Sequence, residues 1–264
     1  MNTATYAVRD SATMLRRNLK HMARYPSQTL MLIGLPLLFL LLFVYVFGAT
    51  MGAGLSGAPA GDRGDYLVFI TPGILVMAVA SVSVSTAVSV ATNMTGGIID
   101  RFRTMAIAKV SVLTGHVLGA MVQTALALAA VFGVAFPLGL ESAASPAQWL
   151  GLIGLLALLS FAMTWFTVAL GLVSPNPEAA SNWPMIFIML PFVGSGFVPV
   201  ESMPTGLRWF AEYQPFTPVM NAFRALLAGA PDGSDVLRAI GWCAVIGLTG
   251  YFWSRRLYRT RGAH

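Results

Sequence analysis

Long apolar stretches, interrupted by short charged segments, run along the whole chain of 264 residues. Asp, Glu, Lys and Arg are absent from six stretches, which lie at 25–61, 66–99, 110–140, 142–177, 179–200 and 239–254. A helix needs about 20 mainly apolar residues to cross a hydrocarbon core of roughly 30 Å. The pattern therefore predicts six membrane-spanning helices, near 29–48, 66–92, 110–138, 149–173, 181–199 and 236–254.

Composition supports a membrane protein and narrows the fold class. Hydrophobic residues make up 56% of the chain and charged residues only 10%, whereas a soluble domain carries about 25% charged residues. This excludes a soluble globular domain, and the high hydrophobicity excludes a disordered chain. A closed β-barrel needs alternating segments of about ten residues, but the sequence at 30–47 is continuously apolar. We therefore expect an all-α integral membrane protein with a single transmembrane domain over 1–264.

The distribution of Lys and Arg predicts the orientation of the helices. If both termini lie in the cytoplasm, the inner segments hold 12 of the 16 basic residues. Cytoplasmic loops of membrane proteins carry an excess of Lys and Arg, so we expect both termini to be cytoplasmic. The net charge of +6 is then an orientation signal and gives no support to a nucleic-acid partner.

The segment 6–26 precedes the first predicted span and is amphipathic. Its apolar residues are spaced by three or four and share one helical stripe: Val8, Ala12, Leu15, Leu19 and Met22. Its basic residues fall on another side of the helix, among them Arg16, Arg17 and Arg24. Such a helix lies in the membrane interface. Its basic side either docks on a cytoplasmic partner or serves as a plain anchor on anionic headgroups.

Two predicted inner loops are candidates for contact with a partner. The loop 94–109 places an apolar face beside charged residues, which is typical either of a short helix that binds a soluble partner or of an ordinary charged loop that sets the topology. In the loop 174–181, Glu178 is the only charged residue. It either couples to a partner or stabilises the start of the next helix, since carboxylates are favourable at helix N-termini.

The outer segment 199–235 is too long for a plain turn. Its prolines divide it into pieces, and the pattern predicts one short helix near Leu207–Gln214 and another over Val219–Leu227. Its aromatic residues suit a membrane interface. We expect both helices to lie in, or dip into, the outer leaflet, where irregular backbone must be buried in protein or line a cavity.

Polar residues inside the predicted spans are the remaining functional candidates. Ser81, Ser85, Ser89 and Thr92 share one side of the second span. Close helix packing through small residues explains such a stripe more often than a substrate path does, so both interpretations stay open. His116 lies near the inner end of the third span without a second metal ligand close in sequence.

The sequence lacks the motifs of several enzyme classes. It contains no phosphate-binding G-x-x-x-x-G-K-[ST] loop, no H-E-x-x-H and no G-x-S-x-G. The single Cys243 excludes an intrachain disulfide and a cysteine-based zinc site. We therefore expect no enzyme activity in this chain, and active transport would draw its energy from another chain or from an ion gradient.

Four stretches together resemble a known family. They are DYLVFITPGILVMAVA at 65–80, GGIIDRFRTMAIAKVS at 96–111, NPEAAS at 176–181 and FVPVESMPTGLRWFAEYQPFTPVMNAFRALL at 197–227. They resemble the type-2 ABC exporter permeases, in particular the daunorubicin-resistance-type membrane subunit, and the resemblance covers nearly the whole chain. It implies a bacterial inner-membrane exporter of hydrophobic or amphipathic compounds such as a drug, an antibiotic or a lipid. It also implies that a separate ATPase subunit binds ATP and Mg and that a second permease copy, identical or related, completes the transporter.

The resemblance also assigns roles to individual residues. ATPase coupling falls on Gly97, Ile98, Asp100, Arg101, Phe102, Arg103 and Met105, with Arg16, Arg17, Arg24 and Glu178 as further contacts. The translocation path falls on Met77, Ser81, Ser85, Asn182, Met185, Met189 and Phe192. An outer gate falls on Phe197, Pro199, Met203, Pro204 and Phe216. A gradient-driven secondary transporter and a non-transporting membrane scaffold are the alternative functions, although no internal repeat and no acidic residue within a span favours the former.

Overall fold

The structure, a computed structural model, describes residues 3–48, 63–96 and 109–260. Within these ranges the chain forms helices and turns and contains no strand, which confirms the all-α class. The first two helices are α1 (Thr3–Arg24) and α2 (Pro26–Leu42), and a π-helical turn at Phe43–Phe47 extends α2. Three long helices follow: α3 (Arg63–Thr95), α4 (Lys109–Ala135) and α5 (Pro146–Val173).

Five helices in the described part of the chain are long and apolar enough to cross a membrane. They are Pro26–Phe47, Gly64–Thr95, Leu113–Ala135, Pro146–Val173 and Gly233–Tyr258. These helices overlap five of the six predicted spans. The last of them belongs to α10 (Gly233–Thr260), which ends the described chain.

The segment predicted as the fifth span, 181–199, is not one continuous helix, so the prediction of six continuous helices is corrected here. It is divided into α6 (Pro177–Asn182), α7 (Ile186–Met189) and a 3₁₀ turn at Leu190–Val193. Pro184 and Pro191 lack the backbone N–H that would continue a helical ladder. Beyond the second proline the backbone becomes extended at Gly194.

Two short helices occupy the segment 199–235. After a 3₁₀ turn at Val200–Ser202, the chain forms α8 (Thr205–Tyr213) and α9 (Phe216–Leu227), close to the two predicted helices. Pro204 and Pro215 stand directly before them, where the missing backbone N–H of proline costs no helical hydrogen bond. After α9, Gly229 has a φ of +74°, a left-handed conformation that glycine adopts without strain.

The helix α3 forms the centre of the bundle. Inside the protomer, 83% of its most apolar stretch is buried, against 17% for α2. α2, α4, α5 and α9 pack around it. Gly171 of α5 allows a close approach, because a Cβ at that position would lie 2.5 Å from the backbone oxygen of Ala87 in α3. Small residues that let helix backbones approach closely are typical of membrane bundles.

The helix α1 lies along α4 and contacts it through a polar and a sulfur-containing residue. Asn18 donates a hydrogen bond to the backbone oxygen of Gly115 at 2.8 Å, and Met14 is buried against the same turn. Leu19, on the predicted apolar stripe, remains 37% exposed. The side of α1 that faces α4 therefore carries Met14 and Asn18, next to the predicted apolar stripe, and Leu19 of the stripe lies outside the bundle.

Candidate functional site

Most of the predicted coupling segment lies outside the described residues. This applies to Gly97, Ile98, Asp100, Arg101, Phe102, Arg103 and Met105. The structure describes the two helices from which the segment departs, α3 up to Thr95 and α4 from Lys109.

A groove on α1 brings together the other basic residues that the sequence singled out. Arg16, Arg17 and Arg24 line it with Thr13, Lys20 and Tyr25, and its volume is about 550 Å³. All four basic side chains are exposed. We call this surface the basic groove, and it concentrates positive charge immediately before α2.

Glu178 lies at the N-terminal end of α6 but does not itself make the capping hydrogen bond. This residue lies in the first turn of α6, but the side chain that caps the helix belongs to Asn176, whose Oδ1 accepts a hydrogen bond from the Ala179 backbone N–H at 2.8 Å. Glu178 is exposed. Its carboxylate is favourable near the helix N-terminus, yet the capping hydrogen bond does not depend on it.

A polar cavity of about 320 Å³ lies between α1, α2, α3 and α4. Six of its polar lining residues are Asn18, Gln28, Ser85, Ser89, Asn93 and His116, and Arg17 also lines it. Ser85 therefore lines the same cavity as Arg17, a predicted coupling residue, and not a surface shared with the other predicted path residues. We call this space the polar cavity.

The remaining predicted path residues do not share one surface within the protomer. Met77 and Ser81 are buried in α3, where the Ser81 hydroxyl donates to the Met77 backbone oxygen at 2.9 Å. Asn182, Met185 and Met189 are exposed. With Trp183 and Ile186, which are 57% and 59% exposed, the two methionines form an apolar surface that no described part of this chain covers. We call it the α6–α7 surface.

Two of the predicted gate residues lie in aromatic packing. The Phe197 ring stacks on Phe192 and on Phe43, with centroids 4.5 Å and 4.7 Å apart. Phe216 is buried and contacts Phe187 edge to face. The other gate residues, Pro199, Met203 and Pro204, flank the turn Val200–Ser202 and are at least partly exposed.

Arg224 of α9 joins three parts of the structure, a role that sequence reasoning missed. Its guanidinium donates to the backbone oxygen of Ser195 at 2.6 Å and to that of Phe69 at 3.1 Å. It also donates to Asn221 Oδ1 at 3.0 Å and lies 4.3 Å from the Phe69 ring centroid. Among the described residues its partners are carbonyls, an amide and a ring rather than a carboxylate. Arg224 therefore fixes the irregular segment after α7 to α3 and α9.

Gly73 and Gly196 bring two segments of the backbone into close contact. A Cβ on Gly73 of α3 would lie 2.8 Å from the backbone oxygen of Gly196 and 2.9 Å from its Cα. A Cβ on Gly196 would in turn lie 2.6 Å from the Pro191 oxygen. Only glycine fits these positions without displacement of the backbone, so the irregular segment is seated directly on α3.

Arg208 and Asp232, two exposed groups outside the spans, have shifted pKa values. Arg208 Nε donates to Glu212 Oε1 at 2.7 Å, and this hydrogen bond and the carboxylate charge raise the pKa of Arg208. Asp232 accepts hydrogen bonds from the Ser234 backbone N–H and hydroxyl, each at 2.9 Å, which lower the pKa of Asp232. Asp232 directly precedes α10, so its carboxylate accepts a hydrogen bond from the first turn of that helix.

Comparison with known proteins identifies the family. The sequence profile described as "ABC-2 type transporter" matches residues 10–228 of the chain. The chain belongs to the ABC-2 type transporter family. A daunorubicin resistance ABC transporter permease protein, DrrB1 of Streptomyces coeruleorubidus, is 32% identical over 98% of this chain and 89% of the relative. A probable doxorubicin resistance ABC transporter permease protein, DrrC of Mycobacterium tuberculosis, is 22% identical over 93% of this chain and 86% of the relative.

Membership of this family, together with the apolar helices, makes the chain a multi-pass membrane protein and a membrane subunit of an ABC exporter. The predicted resemblance is thereby confirmed. Among the described residues of this chain, no group of three or more His, Cys, Asp or Glu side chains is arranged to hold a metal ion.

Two features of this ABC-2 permease join residues that lie far apart in the sequence. Arg224 stood in the sequence as one of four basic residues on the predicted outer side, and nothing in its neighbourhood distinguished it from an interfacial anchor. Its proximity to Gly196 and Gly73 arises only in the fold. The combination of Asn93 with His116, whose side chains meet at 3.1 Å, likewise joins residues 23 positions apart.

Proposed function

We propose that this chain is the permease subunit of an exporter that moves hydrophobic or amphipathic compounds, such as a drug, an antibiotic or a lipid, out of a bacterial cytoplasm. The observation that carries this proposal is the 32% identity, over nearly the whole chain, to a daunorubicin resistance permease. A separate ATPase subunit binds ATP and Mg, and this chain contributes the membrane path. ATP binding closes the ATPase dimer and biases the permease between two states for which the dimer has different affinities.

The proposed topology has six crossings, with both termini in the cytoplasm of an inner-membrane protein. The broken segment 177–199 serves as the fifth crossing, and 199–235 lies on the outer side as a re-entrant segment. The charge distribution supports this orientation. A single cysteine at Ser202 should react with a membrane-impermeant maleimide from outside intact cells, whereas one at Ser181 should react only after permeabilisation.

The proposed coupling surface consists of the segment 94–109 with the basic groove and the exposed Glu178. Its basic charge and its position beside the ends of α3 and α4 support this assignment. Within the segment, Arg101, Phe102 and Arg103 are the residues that we expect to contact the ATPase. The N-terminal helix provides the second contact through Arg16, Arg17 and Arg24.

The proposed translocation path lies where two permease copies meet. The exposed α6–α7 surface supports a homodimer or a pair with a related permease, because a partner chain would cover its apolar side chains. Met77 and Ser81 are buried in the present state and would join the path when α3 separates from its neighbours. Phe197, Pro199, Met203, Pro204 and Phe216 close the path from outside.

Transport in vesicles that contain the ATPase tests the coupling assignment. The double variant Arg101→Ala/Arg103→Ala should insert normally but lose export, since its ATPase contact is removed. The matched control is Arg255→Ala/Arg261→Ala, which removes the same charge from the same predicted side of the membrane and should retain export. Full export by the first variant would refute the coupling assignment.

A dissipated proton gradient separates the proposal from a gradient-driven transporter. With ATP maintained, export should continue in the absence of the gradient, and loss of export would favour the secondary transporter. Co-purification of an ATPase whose turnover rises with a candidate compound would argue against a non-transporting scaffold.

A further inference from the structure

The polar cavity lies where the amphipathic helix α1 meets three strongly apolar helices, α2, α3 and α4. Its lining combines hydroxyls, side-chain amides and an imidazole from α1, α2, α3 and α4. Polar groups at such positions are costly in a bilayer unless water, protein or a ligand satisfies them. Within the described residues, no carboxylate lines the cavity.

Protein contacts satisfy only part of this lining. Asn18 donates to the Gly115 backbone oxygen, Asn93 pairs with His116, and Gln123 reaches the Thr29 hydroxyl at 3.4 Å. By contrast, three polar side chains of the lining have no hydrogen-bond partner among the described residues, namely Gln28, Ser85 and Ser89. They leave an amide and two hydroxyls available to an occupant of the cavity.

The charge next to the cavity is positive. Arg17 lines both the polar cavity and the basic groove, where Arg16, Lys20 and Arg24 accompany it. An occupant with several acceptor oxygens and a negative charge matches this combination of uncharged donors and cations. Phosphate groups have these properties, and basic pockets between transmembrane helices on the cytoplasmic side bind anionic lipid headgroups.

We propose that the polar cavity binds the phosphate headgroup of an anionic phospholipid from the inner leaflet, with Arg17 as its charged contact. The cavity volume of about 320 Å³ lies in the range of about 300–1,000 Å³ of ligand sites. Leu30 and Met31, directly after Gln28 and Thr29 on α2, are 66% and 80% exposed and offer an apolar surface to the acyl chains. The leaflet assignment rests on the proposed orientation of the chain.

A bound headgroup would hold α1 against the helices that carry the coupling segment. Asn93 lies two residues before Thr95, where α3 ends, and His116 lies seven residues after Lys109, where α4 begins. The lipid would therefore contribute to the relative position of the basic groove and the coupling segment. This is a binding role, and it is measurable without the ATPase.

Native mass spectrometry of the full chain in a mild detergent tests the proposal. The chain is mixed with short-chain phosphatidylglycerol or phosphatidylcholine, and retained lipid is counted. We expect preferential retention of phosphatidylglycerol, reduced about fivefold or more by Arg17→Gln and also reduced by Ser85→Ala/Ser89→Ala. Two matched controls should retain it: Arg16→Gln, which changes the basic groove only, and Ser83→Ala, which lies on α3 outside the cavity and is buried.

Three results would overturn the proposal. Equal retention of phosphatidylcholine would remove the preference for an anion. An equal loss in Arg16→Gln and Arg17→Gln would place the lipid on the outer surface of α1. A rise in melting temperature with inorganic phosphate alone that equals the rise with phosphatidylglycerol would identify a free-phosphate site. None of these results depends on export, so failure here leaves the proposed transport function untouched.

Discussion

The contact between Gly73 and Gly196 gives a direct test of how the irregular segment after α7 is held on α3. In Gly73→Ala, the new methyl group would lie 2.8 Å from the Gly196 oxygen, whereas ordinary contacts begin near 3.4 Å. The irregular segment must therefore retreat from α3 by about 0.6 Å. The two nearest atoms of Gly196, its oxygen and its Cα, belong to the backbone, so no rotation of a side chain can relieve the contact.

The expected magnitude follows from this geometry. Overpacking of a well-packed site costs about 1–3 kcal/mol. If the contact exists in the closed state and is absent from the open one, this cost falls on the closed state alone. An energy difference of about 1–3 kcal/mol shifts an equilibrium by about 5- to 150-fold. Gly73→Ala should therefore shift the population towards the outward-open state by a factor in that range.

Cysteine accessibility measures this shift. In a Met203→Cys background, the labelling rate by a membrane-impermeant maleimide should rise in Gly73→Ala and the melting temperature in detergent should fall. The native Cys243 is buried, with 1% exposure, and should contribute little labelling. Gly154→Ala and Gly34→Ala are matched controls, because a Cβ at either helical position meets nothing within 4 Å.

A defined result would refute this reasoning. If Gly73→Ala matches Gly154→Ala in both labelling rate and melting temperature, the seating of Gly196 on α3 does not hold the segment closed. A lower melting temperature with an unchanged labelling rate would show that the contact stabilises both states equally, which contradicts the assignment of the contact to the closed state.

Three further variants test other contacts. Arg224→Lys should lower stability by about 1–3 kcal/mol, measured by thermal unfolding in detergent, because carbonyls that its guanidinium satisfies lose their donors; an unchanged melting temperature would contradict this. Gln148→Ala should cost about 1 kcal/mol in the same assay, since Gln148 completes the cap of α5 and donates to the Gly229 oxygen at 2.9 Å. The hydrogen bonds from Ser234 lower the pKa of Asp232 below its ordinary 3.8, so their stabilisation is present above that pH and is lost as the pH falls through the lowered pKa. The melting temperature of the native chain should therefore fall more steeply below about pH 4 than that of Asp232→Ala, and parallel curves would refute the role of this carboxylate.

The long helices could be predicted because their signal is additive. Each apolar residue contributes to membrane transfer nearly independently, so uncharged stretches such as 66–99 and 142–177 identify spans without knowledge of their packing. The break in 181–199 depends on backbone hydrogen bonds, which hydropathy does not measure. Pro184 and Pro191 were visible in the sequence, but proline alone does not distinguish a kinked helix from a broken one.

The candidate site likewise has one part that could be predicted from the sequence and one part that could not. The spacing of Arg16, Arg17 and Arg24 on one side of α1 follows from helical periodicity, and the structure places all three in one groove. The polar cavity instead joins residues from four helices, and no local pattern connects Asn18 with Ser85. Such a site depends on which helices become neighbours, and this is information that the sequence of one chain does not express locally.

The polar residues of the outer segment are placed where the broken helix leaves carbonyls without partners. Gln214 donates to the Leu190 oxygen at 3.2 Å, and Arg224 donates to the Ser195 oxygen at 2.6 Å. Irregular backbone at membrane depth requires such partners. Each of these bonds contributes only about 1 kcal/mol net when water can replace it, so a segment that opens towards the aqueous side exchanges partners at a modest cost. A continuous helix would have to break its own ladder to move in this way, and this favours the divided segment as the moving part of the outer closure.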